Sequence, residues 1–266
     1  MKIALITLSP EGAVLVRRLA STWTEAQVYL HETVLSFPGV RSFSSILALT
    51  AEIFARYEGL VYVVPCGVAV RAIAPHVQSK YTDPAVVVVD AGGRYAVSLL
   101  AGHEGGANDL AVQTANIIGG EPVITTTTEA LKTLIVGIGC RRGVSAERIM
   151  ATVRKALAEA GGRLEEVRYL ASADLKADEE GLIRAARELQ VPLRFVSGED
   201  IRASTREFAP SSLAAEKINL PAVAEPAALL AGRRTQLILP RRIYDGITIA
   251  IAKESFMWSA SDPADR

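Results

Sequence analysis

The stretch LLAGHEGGAND, residues 99–109, places a histidine inside a glycine-rich turn between two apolar segments. Residues 95–100 are short and mostly apolar, which predicts a strand, and residues 109–118 carry apolar side chains at helical spacing. The turn therefore joins a strand to a helix. Glycine lets the backbone approach a ligand, and the first amides of a helix attract anions. We expect an anion site here. The alternative is that Gly102, Gly105 and Gly106 only form a tight turn beside a solvated His103.

The residues on either side of this turn continue the alternation of strands and helices. An apolar run at residues 2–8 predicts a first strand, and residues 13–20 predict a helix after the turn Ser9-Pro10-Glu11-Gly12. Alternating strands and helices favour a mostly parallel sheet with helices on both faces, whose ligands bind outside the carboxyl ends of the strands. The further predicted strands are residues 27–30, 60–64, 85–89 and 122–126, and the further predicted helices are residues 44–57 and 67–73.

A second α/β pattern begins at Thr133, so we predict domains at residues 1–130 and 131–254, a boundary near residues 129–132 and a tail at 255–266. The second domain is expected to be smaller, with a mixed sheet, because Tyr244-Asp245-Gly246 predicts a hairpin. Its predicted strands are residues 134–138, 166–169, 193–196, 236–239 and 247–252. Its first predicted helix is capped by Ser145 and runs to residue 160, and the other predicted helices are residues 181–188 and 226–231.

Composition limits the classes of partner. Lys plus Arg equals Asp plus Glu at 29 each, so no overall charge favours nucleic acid or an anionic membrane. The two cysteines are too few for a disulfide framework and are typical of a reducing compartment. The N-terminus becomes polar after eight residues, so we expect neither a signal peptide nor a membrane span and place the protein in the cytoplasm.

Four clusters at predicted strand ends could bind a ligand. Arginines beside glycines can capture carboxylate or phosphate, and threonines at a strand end offer hydroxyls and amides. The alternatives are solvated basic turns and ordinary strand threonines. The clusters supply these candidates: Cys66, Gly67 and Arg71; Gly102, Gly105, Gly106 and Asn108; Thr125, Thr126 and Thr127; and Gly139, Cys140, Arg141, Arg142 and Gly143.

Several side chains could carry chemistry. His103 and Glu104 form the best acid/base pair, since histidine titrates near neutral pH. Cys140 could be a nucleophile if a helix N-terminus and the arginines lowered its pKa; the favoured alternative is a buried packing residue. Lys176 and Glu179 form a further charged set, for which the favoured alternative is a solvated helix start.

The sequence lacks the common motifs for binding metals and nucleotides. The three histidines show no metal-ligand spacing, and there is no Cys-x-x-Cys, so we expect no protein-held metal. The first strand-turn-helix carries neither Gly-x-Gly-x-x-Gly nor a Walker lysine pattern. An anionic ligand other than a nucleotide is therefore expected.

Several long segments of the sequence resemble a known family. Residues 63–111 and EPVITTTTE, residues 121–129, are similar to the N-terminal domain of the cobalt-precorrin-5A hydrolases. LIVGIGCRRGVSAERI, DLKADEEGL and AVAEPAALLAG followed by LILPRRIYDGITIAIA resemble the C-terminal domain of that family, which also occurs as a separate small protein. Within the last match, Glu225 is a further candidate binding residue.

The resemblance implies a reaction in anaerobic cobalamin biosynthesis. Water opens the ring δ-lactone of cobalt-precorrin-5A, and the two-carbon unit at C20 leaves as acetaldehyde, giving cobalt-precorrin-5B. Cobalt arrives inside the substrate, so no cofactor held by the protein is implied. A macrocycle with many acetate and propionate arms is expected to need a cleft between domains, helix N-termini and arginines. The partners implied are this substrate, other cobalamin-pathway enzymes and a second copy of the chain, with no nucleic acid and no membrane.

The chain also departs from the family pattern. Family members carry a middle domain between the threonine strand and GIGC, whereas Thr128 and Thr133 are nearly adjacent here. Glu104 and Glu129 stand where an apolar residue and an aspartate are expected. The alternatives to a hydrolase are a non-catalytic tetrapyrrole carrier and a nucleotide-binding regulator.

Overall fold

A computed structural model describes residues 1–208 and 220–256, so residues 257–266 of the expected tail lie outside the described part. The chain divides into two compact units, the first ending at Thr126 and the second beginning at Thr127. Each unit has its own sheet. Within the described residues, no helix combines the length and apolar composition that a membrane span requires.

The N-terminal unit is built on seven strands. Their hydrogen-bonded order is β3-β2-β1-β4-β5-β6-β7. The strands are β1 (Ile3–Thr7), β2 (Gln27–His31), β3 (Val40–Phe43), β4 (Gly59–Val63), β5 (Ala85–Val89), β6 (Tyr95–Leu100) and β7 (Glu121–Val123). The helices are α1 (Pro10–Thr22), α2 (Ile46–Ile53), α3 (Cys66–Ile73), α4 (Ala107–Ile118) and, at the start of the second unit, α5 (Thr127–Ala130), with a short 3-10 helix at Ala74–His76.

Helices cover both faces of this sheet, which confirms the predicted architecture. Every residue of β1, β4 and β5 is buried, as expected for parallel strands between two helical layers. On one face Leu5 and Val61 pack with Leu19 of α1 and Leu110 of α4. The opposite face packs against α2 and α3.

One strand pairing reverses the direction of the sheet. Strands β1 to β5 are parallel, but β6 pairs antiparallel with β5, and β7 then runs parallel to β6. The carboxyl ends of β6 and β7 therefore lie at the edge where β1 and β4 begin.

The C-terminal unit contains a five-stranded mixed sheet in the order β10-β9-β8-β12-β11. Its strands are β8 (Leu134–Cys140), β9 (Val167–Ala173), β10 (Leu193–Val196), β11 (Thr235–Tyr244) and β12 (Ile247–Glu254). Its helices are α6 (Ala146–Glu159), α7 (Glu180–Leu189), α8 (Gly198–Ala203) and α9 (Ala224–Leu230), with short 3-10 helices at Leu164–Glu166 and Asp174–Lys176.

The direction of the strands in this unit gathers several loops at one edge. Strands β8, β9 and β10 are parallel, and β12 and β11 form the predicted hairpin on the other side of β8. Asp245 and Gly246 both have positive φ, as a two-residue hairpin turn requires. The pairing of Ile247 with Cys140 places this turn at the carboxyl end of β8.

Some local predictions were wrong. The predicted strand 122–126 ends at Val123, and Thr127 begins a short helix instead. The helix expected over 44–57 covers only Ile46–Ile53. The edge strand Val40–Phe43 was missed because it is short and exposes polar side chains. Ser145 occupies the N-cap position of α6, but its side chain makes no capping hydrogen bond to the helix backbone.

Two glycines in the C-terminal unit allow unusually close backbone approach. A Cβ at Gly137 in β8 would lie 1.9 Å from the carbonyl oxygen of Ala224 in α9. A Cβ at Gly181 in α7 would lie 1.9 Å from the carbonyl oxygen of Val144. Both contacts are with backbone, which cannot rotate away. Glycine at these positions therefore allows α9 and α7 to pack where they do.

We expect Gly137→Ala to lower the free energy of unfolding by about 1–3 kcal/mol, the usual cost of forcing an extra methyl into a packed core. Gly139→Ala is the matched control on the same strand, since its Cβ would meet Val223 at an ordinary 3.4 Å. Urea unfolding followed by circular dichroism measures both variants. Equal destabilisation of the two would contradict the close-approach argument.

Candidate functional site

The reversal at β6 separates two of the predicted clusters in the N-terminal unit. Cys66 follows the carboxyl end of β4, whereas the turn at Gly102 follows the carboxyl end of β6. Leu100 pairs with Val86 near the start of β5, so the glycine turn lies at the opposite edge of the sheet from Cys66. Each cluster does follow the carboxyl end of its own strand, but the antiparallel β6 places the two clusters at opposite edges of the sheet.

Three amides of the glycine turn and the start of α4 are hydrogen-bonded within this segment. The N–H groups of Gly105 and Ala107 donate to the carbonyl of Ala101 at 3.1 and 3.2 Å, and Asn108 N–H donates to the carbonyl of Gly102 at 2.9 Å. Gly106 has φ of 84° and occupies the N-cap position of α4. The first two amides of α4 are therefore bonded within the chain, because the chain folds back on itself before the helix begins.

Asn108 joins this turn to the threonine segment after β7. Its side chain is buried, its Oδ1 accepts from Ser98 Oγ at 2.8 Å, and its Nδ2 donates to Thr126 Oγ1 at 2.9 Å. The structure thus brings together two predicted clusters, Gly102–Asn108 and the threonines. In this arrangement Asn108 acts as a cross-link, while Thr125 and Thr127 remain exposed.

His103 and Glu104 are exposed in the turn but have different surroundings. Glu104 Oε1 accepts from Lys80 Nζ at 2.7 Å, and this hydrogen bond lowers the pKa of the carboxyl below its usual value. A carboxylate held ionised by a lysine is a weak proton acceptor. The His103 ring makes no hydrogen bond to the described residues and is exposed.

The cluster at the carboxyl end of β4 is exposed. Cys66 and Gly67 begin α3, and Pro65 at the N-cap position provides no side-chain cap. Arg71 Nη1 donates to the carbonyl of Gly67 at 3.0 Å, so the guanidinium folds back along its own helix.

The carboxyl ends of β8 and β9 bring together several charged groups of the C-terminal unit. Glu179 Oε1 accepts from the N–H of Gly143 at 2.7 Å, and its Oε2 lies 3.5 Å from Lys176 Nζ. The Lys176 and Glu179 side chains are only 11% and 5% exposed. The alternative of a solvated helix start is therefore wrong for this pair.

Cys140 ends β8 beside this pair and is partly buried. Burial raises the pKa of its thiol above the ordinary value; the charge of Lys176 lowers it and that of Glu179 raises it again. The condition for a nucleophilic Cys140, a lowered pKa, is therefore not met, in line with the packing alternative.

The two adjacent arginines at the end of β8 are in different states. Arg142 makes a bidentate contact with Asp178, at 2.8 Å through Nη1 and 3.3 Å through Nη2. Its guanidinium fork is therefore already occupied by a carboxylate. Arg141 has no ion-pair partner among the described residues and lines a groove of about 360 Å³ with Val144, Arg148, Asp245 and Gly246. Arg148 donates through Nη2 to Asp245 Oδ2 at 2.6 Å, so among the arginines that line the groove Arg148 is ion-paired and Arg141 is not.

The remaining candidates, Glu225 and Gly139, make contacts within the fold. Glu225 is buried in α9, and its Oε1 accepts from the N–H of Arg241 at 2.9 Å, which ties the helix to β11. Gly139 is partly buried and faces Val223.

The sequence analysis did not identify the partners Lys80, Asp178 and Arg148. The segment DLKADEEGL contains Asp178, but no spacing indicates its pairing with Arg142. Within residues 1–208 and 220–256, no three His, Cys, Asp or Glu side chains form a group that could hold a metal ion.

The protein thus consists of two α/β units, and charged loops follow the ends of strands in both. Two family models match it in order: "Cobalamin synthesis G N-terminal" over residues 48–129 and "Cobalamin synthesis G C-terminus" over residues 134–252. The chain belongs to the cobalamin synthesis G family.

Three curated relatives extend this comparison. A "Cobalt-precorrin-5A hydrolase" of Priestia megaterium is 24% identical over 94% of this chain and 94% of the relative. A protein of the same name from Salmonella typhimurium is 38% identical over 52% of this chain, and the match spans 41% of that relative's length. "Protein CobE" of Sinorhizobium sp is 35% identical over 47% of this chain and 83% of the relative.

The alignment with the Priestia relative also bears on the middle segment that this sequence lacks. It extends over 357 positions, more than the 266 residues of this chain, so that relative carries residues with no counterpart here. This agrees with a short form of the family.

We expect the two cysteines to differ in reactivity. Cys66 is exposed, whereas burial keeps the Cys140 thiol protonated at neutral pH. Brief treatment with iodoacetamide at about pH 7.5 is expected to alkylate Cys66 first, and Cys140 is expected to react appreciably only at higher pH. Peptide mass spectrometry measures both sites. Equal rates at neutral pH would show that the Cys140 thiolate is stabilised.

Proposed function

We propose that this protein is a cobalt-precorrin-5A hydrolase of cobalamin biosynthesis. The observation that carries the proposal is the ordered match of both family models, supported by two relatives that bear this name. In the proposed reaction, water opens the ring δ-lactone and the two-carbon unit at C20 leaves as acetaldehyde, giving cobalt-precorrin-5B. Cobalt enters as part of the substrate.

The reaction requires two proton transfers. Attack of water on the lactone carbonyl needs a base and leaves a carboxylate and a C20 hydroxyl. Loss of the hydroxyl proton then forms the C=O bond of acetaldehyde, the bond between C20 and the ring breaks, and its electron pair enters the conjugated macrocycle. His103 is our candidate for the base, because its imidazole is exposed and neighbouring Glu104 is held by Lys80.

Substrate binding must satisfy the carboxylate arms of the macrocycle. Arg141 is the cation we assign to this role at its groove, because its guanidinium has no ion-pair partner among residues 1–208 and 220–256 and can make a bidentate contact with a carboxylate. Arg142 is a poorer candidate, since Asp178 already occupies its fork.

His103→Ala is expected to reduce acetaldehyde release from cobalt-precorrin-5A by about 10²–10⁴-fold, the usual contribution of a general base. Glu104→Gln is the matched control in the same turn and is expected to retain near wild-type turnover. Acetaldehyde is measured by a coupled alcohol dehydrogenase assay. Loss of turnover in Glu104→Gln with retention in His103→Ala would reverse the assignment.

Arg141→Ala is expected to raise the Kd for the substrate more than about tenfold, because it removes the free carboxylate partner. Arg142→Ala removes the same charge from an exposed, solvent-screened pair with Asp178, so a change in Kd below about fivefold is expected. Titration of the visible absorption of the corrinoid measures both. Equal losses would show that overall charge, not the groove, governs binding.

A second candidate function is a non-catalytic carrier of the cobalt tetrapyrrole. It is favoured by the residues of the Priestia relative that have no counterpart here. A carrier would shift the visible spectrum of the ligand on binding and release no acetaldehyde. The assay above separates the two functions directly.

A further inference from the structure

The Lys176–Glu179 pair is a buried charged pair at a strand end. Removing two charges from water has a large cost, and apolar residues of similar volume often replace such a pair with no loss of stability. The hydrophobic core of this unit lies close by, formed by β8, β9, α6 and α7. The net contribution of such a pair to the stability of the fold is therefore small, although removing one partner alone would leave the other charge buried and uncompensated.

The contacts of the pair are unequal. Glu179 is well satisfied, since one carboxylate oxygen accepts the Gly143 amide at 2.7 Å. The Lys176 ammonium has three donors, and its ion-pair contact with Glu179 is long, at 3.5 Å. No other hydrogen bond of its Nζ is made to the described residues. The ammonium is thus held in place with donors left for another group.

The backbone around the pair is arranged to hold it at the sheet edge. Gly143 has φ of 76°, which directs its amide to Glu179 in a conformation that favours glycine. Gly181 allows α7 to approach the carbonyl of Val144, which places Glu179 against this loop. The pair follows β9 and adjoins the end of β8, and the carboxyl ends of parallel strands are where α/β sheets bind ligands.

We infer that Lys176 forms an anion site in the C-terminal unit that takes a carboxylate arm of the ligand, with Glu179 as the counter-charge of the lysine. An incoming carboxylate accepts from the free donors of the Lys176 ammonium. Glu179 competes with the arm for that ammonium and, as a like charge, limits the affinity for the arm. The identity of the natural ligand rests on the proposed function; the carboxylate chemistry of the site rests on the pair itself.

The test uses the full chain and uroporphyrin, a tetrapyrrole with acetate and propionate arms. Lys176→Gln is expected to raise the Kd for uroporphyrin at least about tenfold, whereas Lys176→Arg keeps the charge and is expected to stay within about threefold of wild type. Glu179→Gln retains an oxygen for the Gly143 amide and removes the opposing charge, so it is expected to lower the Kd. Lys253→Gln, an exposed lysine at the other end of β12 from the hairpin turn, is the charge-matched control and is expected to leave the Kd unchanged.

The opposite signs for the two partners separate binding from folding. If the pair were only structural, Lys176→Gln and Glu179→Gln would both reduce the midpoint of urea unfolding and raise the Kd together, and that result overturns the inference. Absence of uroporphyrin binding by the wild type also overturns it. Acetaldehyde release is measured separately, so a wild type that binds through Lys176 but releases none contradicts the hydrolase proposal and leaves the anion site supported.

Discussion

The antiparallel pairing of β5 with β6 is the constraint on which the N-terminal unit depends. Had β6 joined the sheet in parallel, the glycine turn would lie at the same edge of the sheet as Cys66. The reversal instead carries the turn to the opposite edge, where β7 runs parallel to β6 and delivers Thr126 to Asn108. The cross-link made by Asn108 then fixes the turn, and His103 is left exposed at its tip.

In the C-terminal unit the equivalent constraint is close backbone approach. Gly137 allows α9 to lie against β8, and Gly181 allows α7 to lie against the loop after β8. These approaches bring charged side chains together that are far apart in sequence. Arg142 meets Asp178, and the Gly143 amide meets Glu179. Arg142 is thereby paired with a carboxylate, whereas its neighbour Arg141 has no ion-pair partner among the described residues. The type of residue alone does not distinguish the two arginines.

The strands were predictable because burial on both faces leaves a direct signal. Continuous apolar runs identified β1, β4 and β5, and the predicted bounds of β5, β6 and β10 agree with the structure. Errors fell where that signal is weak: β3 exposes polar residues, and the threonine run looks like a strand although its chain turns into a short helix. The Asp245-Gly246 hairpin was predictable because both positions require positive φ.

The sequence by itself determined the α/β class, the hairpin, the candidate loops and, through its motifs, the family. Those features depend on local patterns of apolar and turn residues, which are present in the chain before it folds. Only the tertiary structure decided which candidates are free to act. Whether an arginine is paired, whether a turn's amides are already bonded and whether a lysine is buried depend on groups brought together across the sheet. Arg141, His103 and Lys176 stand out for that reason, while Arg142, Glu104 and Glu225 are held by partners that no spacing reveals.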